Sequence, residues 1–398
     1  MVISGKRETE FLGWRKHVLE RHGAAALETE ELLKYNENVF QIDTATQLEF
    51  PLIDEAFVSA WERYAARPNV MAALRESYPQ LAFPVVQGIN QTPEYLTATR
   101  KGRVVEGNPG VVLSAPDRCE ITLYPTFAGR IPLLTTTERA DFELLVQSLS
   151  LRNEPVPIQP SMGACMIAGL NNWDRVRRYR SDWECNRGAA GSEDEWQDEM
   201  RRLIPRRELY QDQFILLSYG PYSGVRSSDL KLDEEEWRVA SFAIRREHEC
   251  THYFTRRVFG SMRNNLLDEL IADYCGIVKA AGRFHADWFL RFVGLEHFPE
   301  YRPGGRLENY RGTPPLSDSS FVVLQRLIYH ATVNLERFNS EIGTPDEVSP
   351  AILVALASAT LEQLADSNAT AHLMEKLATT RASLRAAQEQ TAFTKGNG

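Results

Sequence analysis

The chain has 398 residues, and its 45 lysine and arginine residues stand against 54 aspartate and glutamate residues, giving a formal net charge of −9 at pH 7. Hydrophobic residues make up 43% and charged residues 25% of the sequence, which excludes a collagen-like, low-complexity or wholly disordered chain. The acidic balance argues against sequence-independent binding to nucleic acid, which needs a surplus of basic residues.

The five cysteines are widely spaced and form no CxxC pair, which argues against a disulfide scaffold and against a cysteine-ligated zinc ribbon. The first residues lack the apolar segment and cleavage site of a secretory signal. No apolar stretch is long enough to span a membrane. We therefore expect a cytoplasmic protein that binds neither membrane nor nucleic acid, and the sequence does not indicate an oligomeric state.

The first half of the chain mixes helical and strand patterns. Apolar spacing predicts helices over 10–35 and 53–77. Short apolar or alternating runs bounded by Gly, Pro and Asp predict strands, and a helix is expected to begin at Thr136 or Thr137. The charged block 173–207 contains a glycine-rich segment, 186–193, that predicts a mobile loop. The predicted strands are 104–107, 110–114, 119–127, 130–137, 164–170 and 214–218.

From residue 233 onward the sequence is mainly helical. Asp233 and the acidic residues after it predict the start of a long helix that ends at Gly260. Asn264 or Asn265 is expected to cap a second helix, which ends at Gly282. The remaining elements are a short aromatic helix, a Gly/Pro-rich loop and three amphipathic helices, predicted at 285–293, 298–316, 319–340, 349–366 and 369–390.

These patterns predict an α+β protein in which a mixed sheet precedes a mostly α-helical C-terminal part. We divide the chain into a helical N-terminal region, a sheet-containing region, a pair of helices, a C-terminal helical bundle and a disordered tail. The predicted boundaries are 1–100, 101–232, 233–298, 299–390 and 391–398.

One short motif indicates chemistry, the sequence HECTH at 248–252. Because residues four apart lie on one face of a helix, His248 and His252 can bind one metal ion. Glu249 points just off that face, so it is suited to act as the general base on a water molecule. Zinc held by two histidines needs a third protein ligand, and the next helix offers Glu269 and Asp273 on one face.

The pair HECTH and ELIAD (269–273) resembles the gluzincin group of zinc metallopeptidases, whose pattern is HExxH followed by ExxxD. The resemblance covers about 234–282 and implies a zincin-like fold. It implies that His248, His252 and Glu269 bind zinc, and that Asp273 orients a ligand histidine. Asp268 or Asp273 as the third ligand remains an alternative.

The gluzincin resemblance also implies a tyrosine or histidine donor downstream of the third ligand, which stabilises negative charge on the substrate. Tyr329 and His330 are the candidates. Tyr219 and Tyr222, which precede the HExxH helix, are candidates for binding substrate.

The predicted function is a zinc-dependent hydrolase that cleaves a peptide or another amide bond. A first alternative is a tailoring enzyme that acts on a small specialised metabolite, in which the metal is zinc or iron, because two histidines and a carboxylate also suit Fe(II). A second alternative is a non-catalytic binding protein on a gluzincin skeleton. The presence of Glu249 argues against this second alternative, since binding alone requires no general base.

Overall fold

A computed structural model describes residues 2–40, 48–103, 110–187, 191–343, 346 and 348–396 of the chain. The chain forms two compact units. The helical unit contains residues 1–52 and 221–398, and the sheet unit contains residues 53–220. Among the described residues, no helix combines the length and the hydropathy needed to cross a bilayer.

The regular elements of the described residues are fifteen α-helices, four strands and seven short 3₁₀ turns. The helices are α1 (Val2–Arg21), α2 (Ala26–Tyr35), α3 (Val58–Ala65), α4 (Val70–Ser77), α5 (Pro93–Lys101), α6 (Arg139–Leu149), α7 (Trp173–Arg187), α8 (Glu193–Leu203), α9 (Glu234–Phe259), α10 (Leu266–Ala281), α11 (Ala286–Val293), α12 (Asp318–Glu341), α13 (Pro350–Ala357), α14 (Leu361–Ala365) and α15 (Ala369–Gly396). The strands are β1 (Glu120–Thr126), β2 (Gly129–Thr136), β3 (Ala164–Asn171) and β4 (Gln211–Ser218). The 3₁₀ turns are Pro79–Ala82, Ile89–Gln91, Pro116–Arg118, Arg207–Leu209, Tyr222–Gly224, Ser227–Leu230 and Arg306–Tyr310.

The sheet unit is built on a four-stranded mixed sheet in the order β1-β2-β4-β3. Strands β1 and β2 form an antiparallel hairpin, β2 pairs with β4 in parallel, and β3 pairs with β4 antiparallel. The central strand β4 is buried almost throughout, whereas β1 alternates between exposed and partly buried residues as an edge strand does. Trp61, Phe142 and Phe214 belong to the core of this unit.

The helical unit contains the two helices that carry the predicted motifs. Helix α9 begins with a capping box between Asp233 and Glu236 and ends at Gly260, whose φ of 72° is left-handed. Helix α10 packs along α9. Gly276 permits their close approach, because a Cβ atom at that position would lie 2.7 Å from the carbonyl oxygen of Ile244. The histidines of α9 are thereby held against the carboxylates of α10.

The predicted α+β class is confirmed by this mixture of helices and a four-stranded sheet. The strands predicted at 119–127, 130–137, 164–170 and 214–218 are confirmed as β1 to β4. Helix α9 also begins and ends where the sequence predicted.

The strand predicted at 110–114 is wrong. The N–H of Val111 donates to the carbonyl of Leu81, and the N–H of Ser114 donates to the carboxylate of Asp141. These contacts satisfy the main chain without a neighbouring strand. The predicted strand at 104–107 lies outside the described residues, as does part of the predicted loop, 188–190.

Three long helices predicted from the sequence are each divided in two. Gly23, with a φ of 90°, separates α1 from α2. Asn69 caps α4 after the break that follows α3, and Thr360 caps α14 after the end of α13. The tail predicted to be disordered from residue 391 is helical as far as Gly396, and residues 397–398 lie outside the described residues.

The two compact units also differ from the predicted division of the chain. Residues 1–52 belong with the C-terminal helices, and the sheet unit runs from 53 to 220, across the boundary predicted at 100. Contacts that join the two ends of the chain explain this arrangement. The amide of Asn36 and the guanidinium of Arg15 both donate to the buried Glu362, at 3.1 and 3.0 Å.

Candidate metal centre

Helix α9 presents His248 and His252 one turn apart on a buried face. Their Nε2 atoms lie 3.0 Å from each other, and the two residues are 8% and 6% exposed. This geometry follows from the helical repeat, which stacks residues i and i+4. The burial matters because two imidazole nitrogens that face each other away from water need a shared proton or a shared ligand.

Helix α10 adds Glu269 to the same side of both imidazoles. Its Oε2 lies 3.5 Å from Nε2 of His248, and its Oε1 lies 3.6 Å from Nε2 of His252. Zinc bonds of 2.0–2.1 Å in a tetrahedral arrangement separate neighbouring ligand atoms by about 3.4 Å. The donor separations of 3.0, 3.5 and 3.6 Å therefore fit a zinc ion bound by these three residues.

Asp273 holds the other nitrogen of His248. Its Oδ1 lies 2.7 Å from Nδ1 of His248 and accepts a hydrogen bond of 2.6 Å from the hydroxyl of Tyr222. Burial tends to raise the pKa of Asp273, but the charge of Arg306 and the hydrogen bonds from His248 and Tyr222 outweigh it and lower the pKa to about 2. A carboxylate at Nδ1 fixes the tautomer that leaves Nε2 available to a metal.

His252 makes fewer hydrogen bonds than His248 does. Its buried Nδ1 has no hydrogen-bond partner among the described residues, and Oδ2 of Asp268 lies 3.8 Å from it. Burial and the positive charge of His248 lower the pKa of His252 to about 4. Burial and the negative charge of Glu269 raise the pKa of Asp268 to about 8.

The alternative third ligands, Asp268 and Asp273, therefore lie at the Nδ1 atoms of the histidines. Glu269 lies at their Nε2 atoms, on the side that a shared ion would occupy. This geometry favours Glu269 over both aspartates.

Glu249 is partly buried and follows the first histidine directly. Burial raises its pKa to about 6, with a further increase from the charge of Glu269 that His248 and Arg245 oppose. Cys250, inside the same motif, is 5% exposed and belongs to the core.

Two residues that the sequence did not indicate belong to the centre, and both come from the 3₁₀ turn Arg306–Tyr310. The hydroxyl of Tyr310 donates to Oε2 of Glu269 at 2.6 Å. The guanidinium of Arg306 pairs with Oδ2 of Asp273 and donates to the hydroxyl of Tyr222 at 2.8 Å. This turn lies in the loop predicted at 298–316, where no periodic pattern identifies individual residues.

The structure brings Tyr222 to the candidate centre. It is buried, and its hydroxyl donates to Asp273 and accepts a hydrogen bond from Arg306. Tyr219 is partly buried at the end of the sheet unit.

Tyr329 and His330 are found elsewhere in the helical unit. The ring of Tyr329 stacks on Phe298 at 4.0 Å, and the ring of His330 lies 5.0 Å from that of His22. The described contacts of both residues are with these aromatic rings, and none of them joins either residue to His248, His252 or Glu269. Among the described contacts, Tyr310 is the tyrosine whose hydroxyl reaches the carboxylate of Glu269.

The fold and the site together define a mixed α+β protein with two buried histidines and a partly buried glutamate that could hold a metal ion. The chain belongs to the family of unknown function DUF7005, whose profile it matches over residues 17–368. No curated protein and no solved structure matches the chain.

Proposed function

We propose that the protein is a zinc-dependent hydrolase of the gluzincin type that cleaves a peptide or another amide bond. The observation that carries the proposal is the convergence of four atoms, Nε2 of His248 and of His252 and the two carboxylate oxygens of Glu269. Zinc bound by such a set supplies a Lewis acid and makes water a better nucleophile near neutral pH.

In this proposal the side chains of α9 and α10 have different roles. Glu249 accepts a proton from the attacking water and returns it to the leaving amine. Asp273 keeps the proton of His248 on Nδ1, at the 2.7 Å contact. The ion pair with Arg306 keeps Asp273 ionised, so that it can continue to accept this hydrogen bond.

In this proposal Tyr310, rather than Tyr329 or His330, is the hydrogen-bond donor to the substrate. Its hydroxyl lies 2.6 Å from a carboxylate oxygen of Glu269, and therefore beside the ligand set. A phenol in this position can turn to donate a hydrogen bond to the acyl oxygen as negative charge develops on it.

The test compares two glutamates that differ in role, Glu249 and Glu269. Purified wild-type protein, Glu249→Gln and Glu269→Gln are analysed for bound metal by mass spectrometry and for cleavage of a peptide library. We expect Glu249→Gln to keep its zinc and lose about 10²–10⁴-fold in turnover, as removal of a general base does. Glu269→Gln should lose zinc. The proposal fails if Glu249→Gln strips the metal while Glu269→Gln retains it.

A second function uses the same ligands. Two histidines and one carboxylate with open positions also suit non-haem Fe(II), so the centre would equally serve a tailoring enzyme acting on a small metabolite. Stoichiometric iron in protein purified without added metal would favour this function over the zinc hydrolase.

A further inference from the structure

The sheet unit contains a cavity of about 560 Å³ that is separate from the metal centre in sequence and in chemistry. It lies among the end of α5, the first half of α7 and helix α8. Five cationic side chains line it, and of the described lining residues one, Glu193, is acidic. The five cations are Arg100, Lys101, Arg103, Arg177 and Arg180.

The helix dipoles favour cations at only some of these five positions. Arg100 and Lys101 stand in the last turn of α5, where the helix dipole favours cations. Arg177 stands little more than one turn after the start of α7, where the helix dipole gives a cation no support. Its guanidinium donates to the main-chain oxygen of Glu76 at 2.7 Å, which fixes its position without neutralising its charge.

Arg180 pairs with two carboxylates, Glu184 at 2.9 Å and Glu193 at 3.2 Å. No ion pair joins Arg100, Lys101 or Arg177 to any acid in the described parts of the chain. The cavity therefore retains several positive charges on a chain with a net charge of −9.

The apolar part of the cavity is closely packed. Trp173 and Trp196 are 7% and 6% exposed, and Nε1 of Trp173 donates to the carbonyl of Thr99 at 3.0 Å. Gly102 packs on the Trp173 ring so closely that a Cβ atom would lie 2.2 Å from it. The end of α5 is thus packed directly against the start of α7, and the cations, most of them exposed, project from these two adjoining helix ends.

We propose that this cavity binds a small organic anion that carries two or more phosphate or carboxylate groups. The volume is typical of small-molecule sites, and arginine guanidinium groups match the planar geometry of both anions. The site does not depend on the metal centre, so it can exist whether or not the protein is a hydrolase.

The experiment is calorimetric titration of the full-length protein with pyrophosphate and, separately, with citrate. The variant Arg100→Gln/Arg177→Gln removes one cation from each helix, and Arg118→Gln removes an exposed arginine of the same unit as a matched control. Lys101→Gln, at an exposed position, is a milder second variant. Circular dichroism and the melting temperature show that each variant is folded.

We expect saturable binding of at least one probe, weakened about tenfold or more for each arginine removed and unchanged in Arg118→Gln. Binding of pyrophosphate alone assigns phosphate as the ligand group, and binding of citrate alone assigns carboxylate. Both probes also bind metal ions, so the titration is repeated with His248→Ala. Absence of binding by both probes, an equal loss in Arg118→Gln, or a loss in His248→Ala would overturn the proposal.

Discussion

Each unit of the protein contains a buried aspartate paired with an arginine, Asp212 with Arg175 and Asp273 with Arg306. The two pairs differ in whether the polar groups around them are all hydrogen-bonded. In the sheet unit, Asp212 accepts hydrogen bonds from Trp61, Tyr78, Asn172 and Arg175, at 2.9, 2.6, 2.6 and 2.7 Å. Both of its oxygens are used, and its hydrogen-bonding capacity is filled by the protein itself.

In the helical unit, Asp273 also has several partners, namely Tyr222, His248 and Arg306. The histidine next to His248 in this cluster, His252, is not fully hydrogen-bonded. Whichever of the two facing Nε2 atoms carries the proton, Nδ1 of His252 has no partner in the described residues: it is an unpaired donor if His248 donates, and an unpaired acceptor if His252 donates. A buried polar group without a partner costs about 1–3 kcal/mol. The comparison indicates that the Asp212 cluster, whose hydrogen bonds are all made within the protein, has a structural role. The Asp273 cluster leaves a histidine nitrogen without a partner, which is typical of a site that binds a ligand.

The largest effect is expected from Asp212→Ala, which tests whether the Asp212 cluster stabilises the fold. The change leaves the buried Arg175 without its counterion and removes the acceptor for three neutral donors. Breaking such a pair costs about 3–5 kcal/mol in the free energy of unfolding. Urea denaturation measures the loss, and zinc content per folded molecule should stay constant. A loss below about 1 kcal/mol would show that the cluster is not structural.

The next effect tests whether the second cluster lacks a ligand. Zinc at about 100 times its Kd should raise the free energy of unfolding by about 2.7 kcal/mol, because it binds the folded chain. Chelation should reverse the gain. His252→Ala is expected to abolish the response and Arg118→Gln to leave it intact. If zinc stabilises His252→Ala as much as the wild type, the ligand assignment is wrong.

A smaller effect is expected from the turn Arg306–Tyr310. Arg306→Met and Tyr310→Phe each remove a partner of a carboxylate in the centre, so each should weaken zinc binding about 10–100-fold. Competition with a chromogenic chelator measures the change. A purely structural role would instead lower the free energy of unfolding of metal-free protein and leave the zinc affinity unaltered.

The sequence could predict those parts of the centre that depend on local geometry. The spacing of His248 and His252 follows from the helical repeat, and Asp233 and Gly260 identify the two ends of α9. The four strands were likewise visible as short apolar runs. Their order β1-β2-β4-β3 was not, because β2 and β4 pair across more than 70 residues of intervening chain.

Long-range contacts account for what the sequence did not predict. Arg306 and Tyr310 reach Asp273 and Glu269 from a loop with no periodic pattern. The two ends of the chain join through buried contacts such as the one between Asn36 and Glu362. Local patterns carry no information about such pairs, since neither residue affects the secondary structure of the other.

The smallest effect is expected from Tyr329→Phe and His330→Ala, which change the residues that the sequence favoured as donors. Distance along the chain suggested them, but α12 buries Leu327, Ile328 and Ala331 and leaves His330 exposed. Both variants should bind zinc within about twofold of the wild type, because neither residue contacts the ligands or their carboxylate partners and the metal affinity is set by those groups. Chelator competition, run in parallel with Tyr310→Phe, measures the difference. If His330→Ala weakened zinc binding as much as Tyr310→Phe, α12 would be part of the metal site.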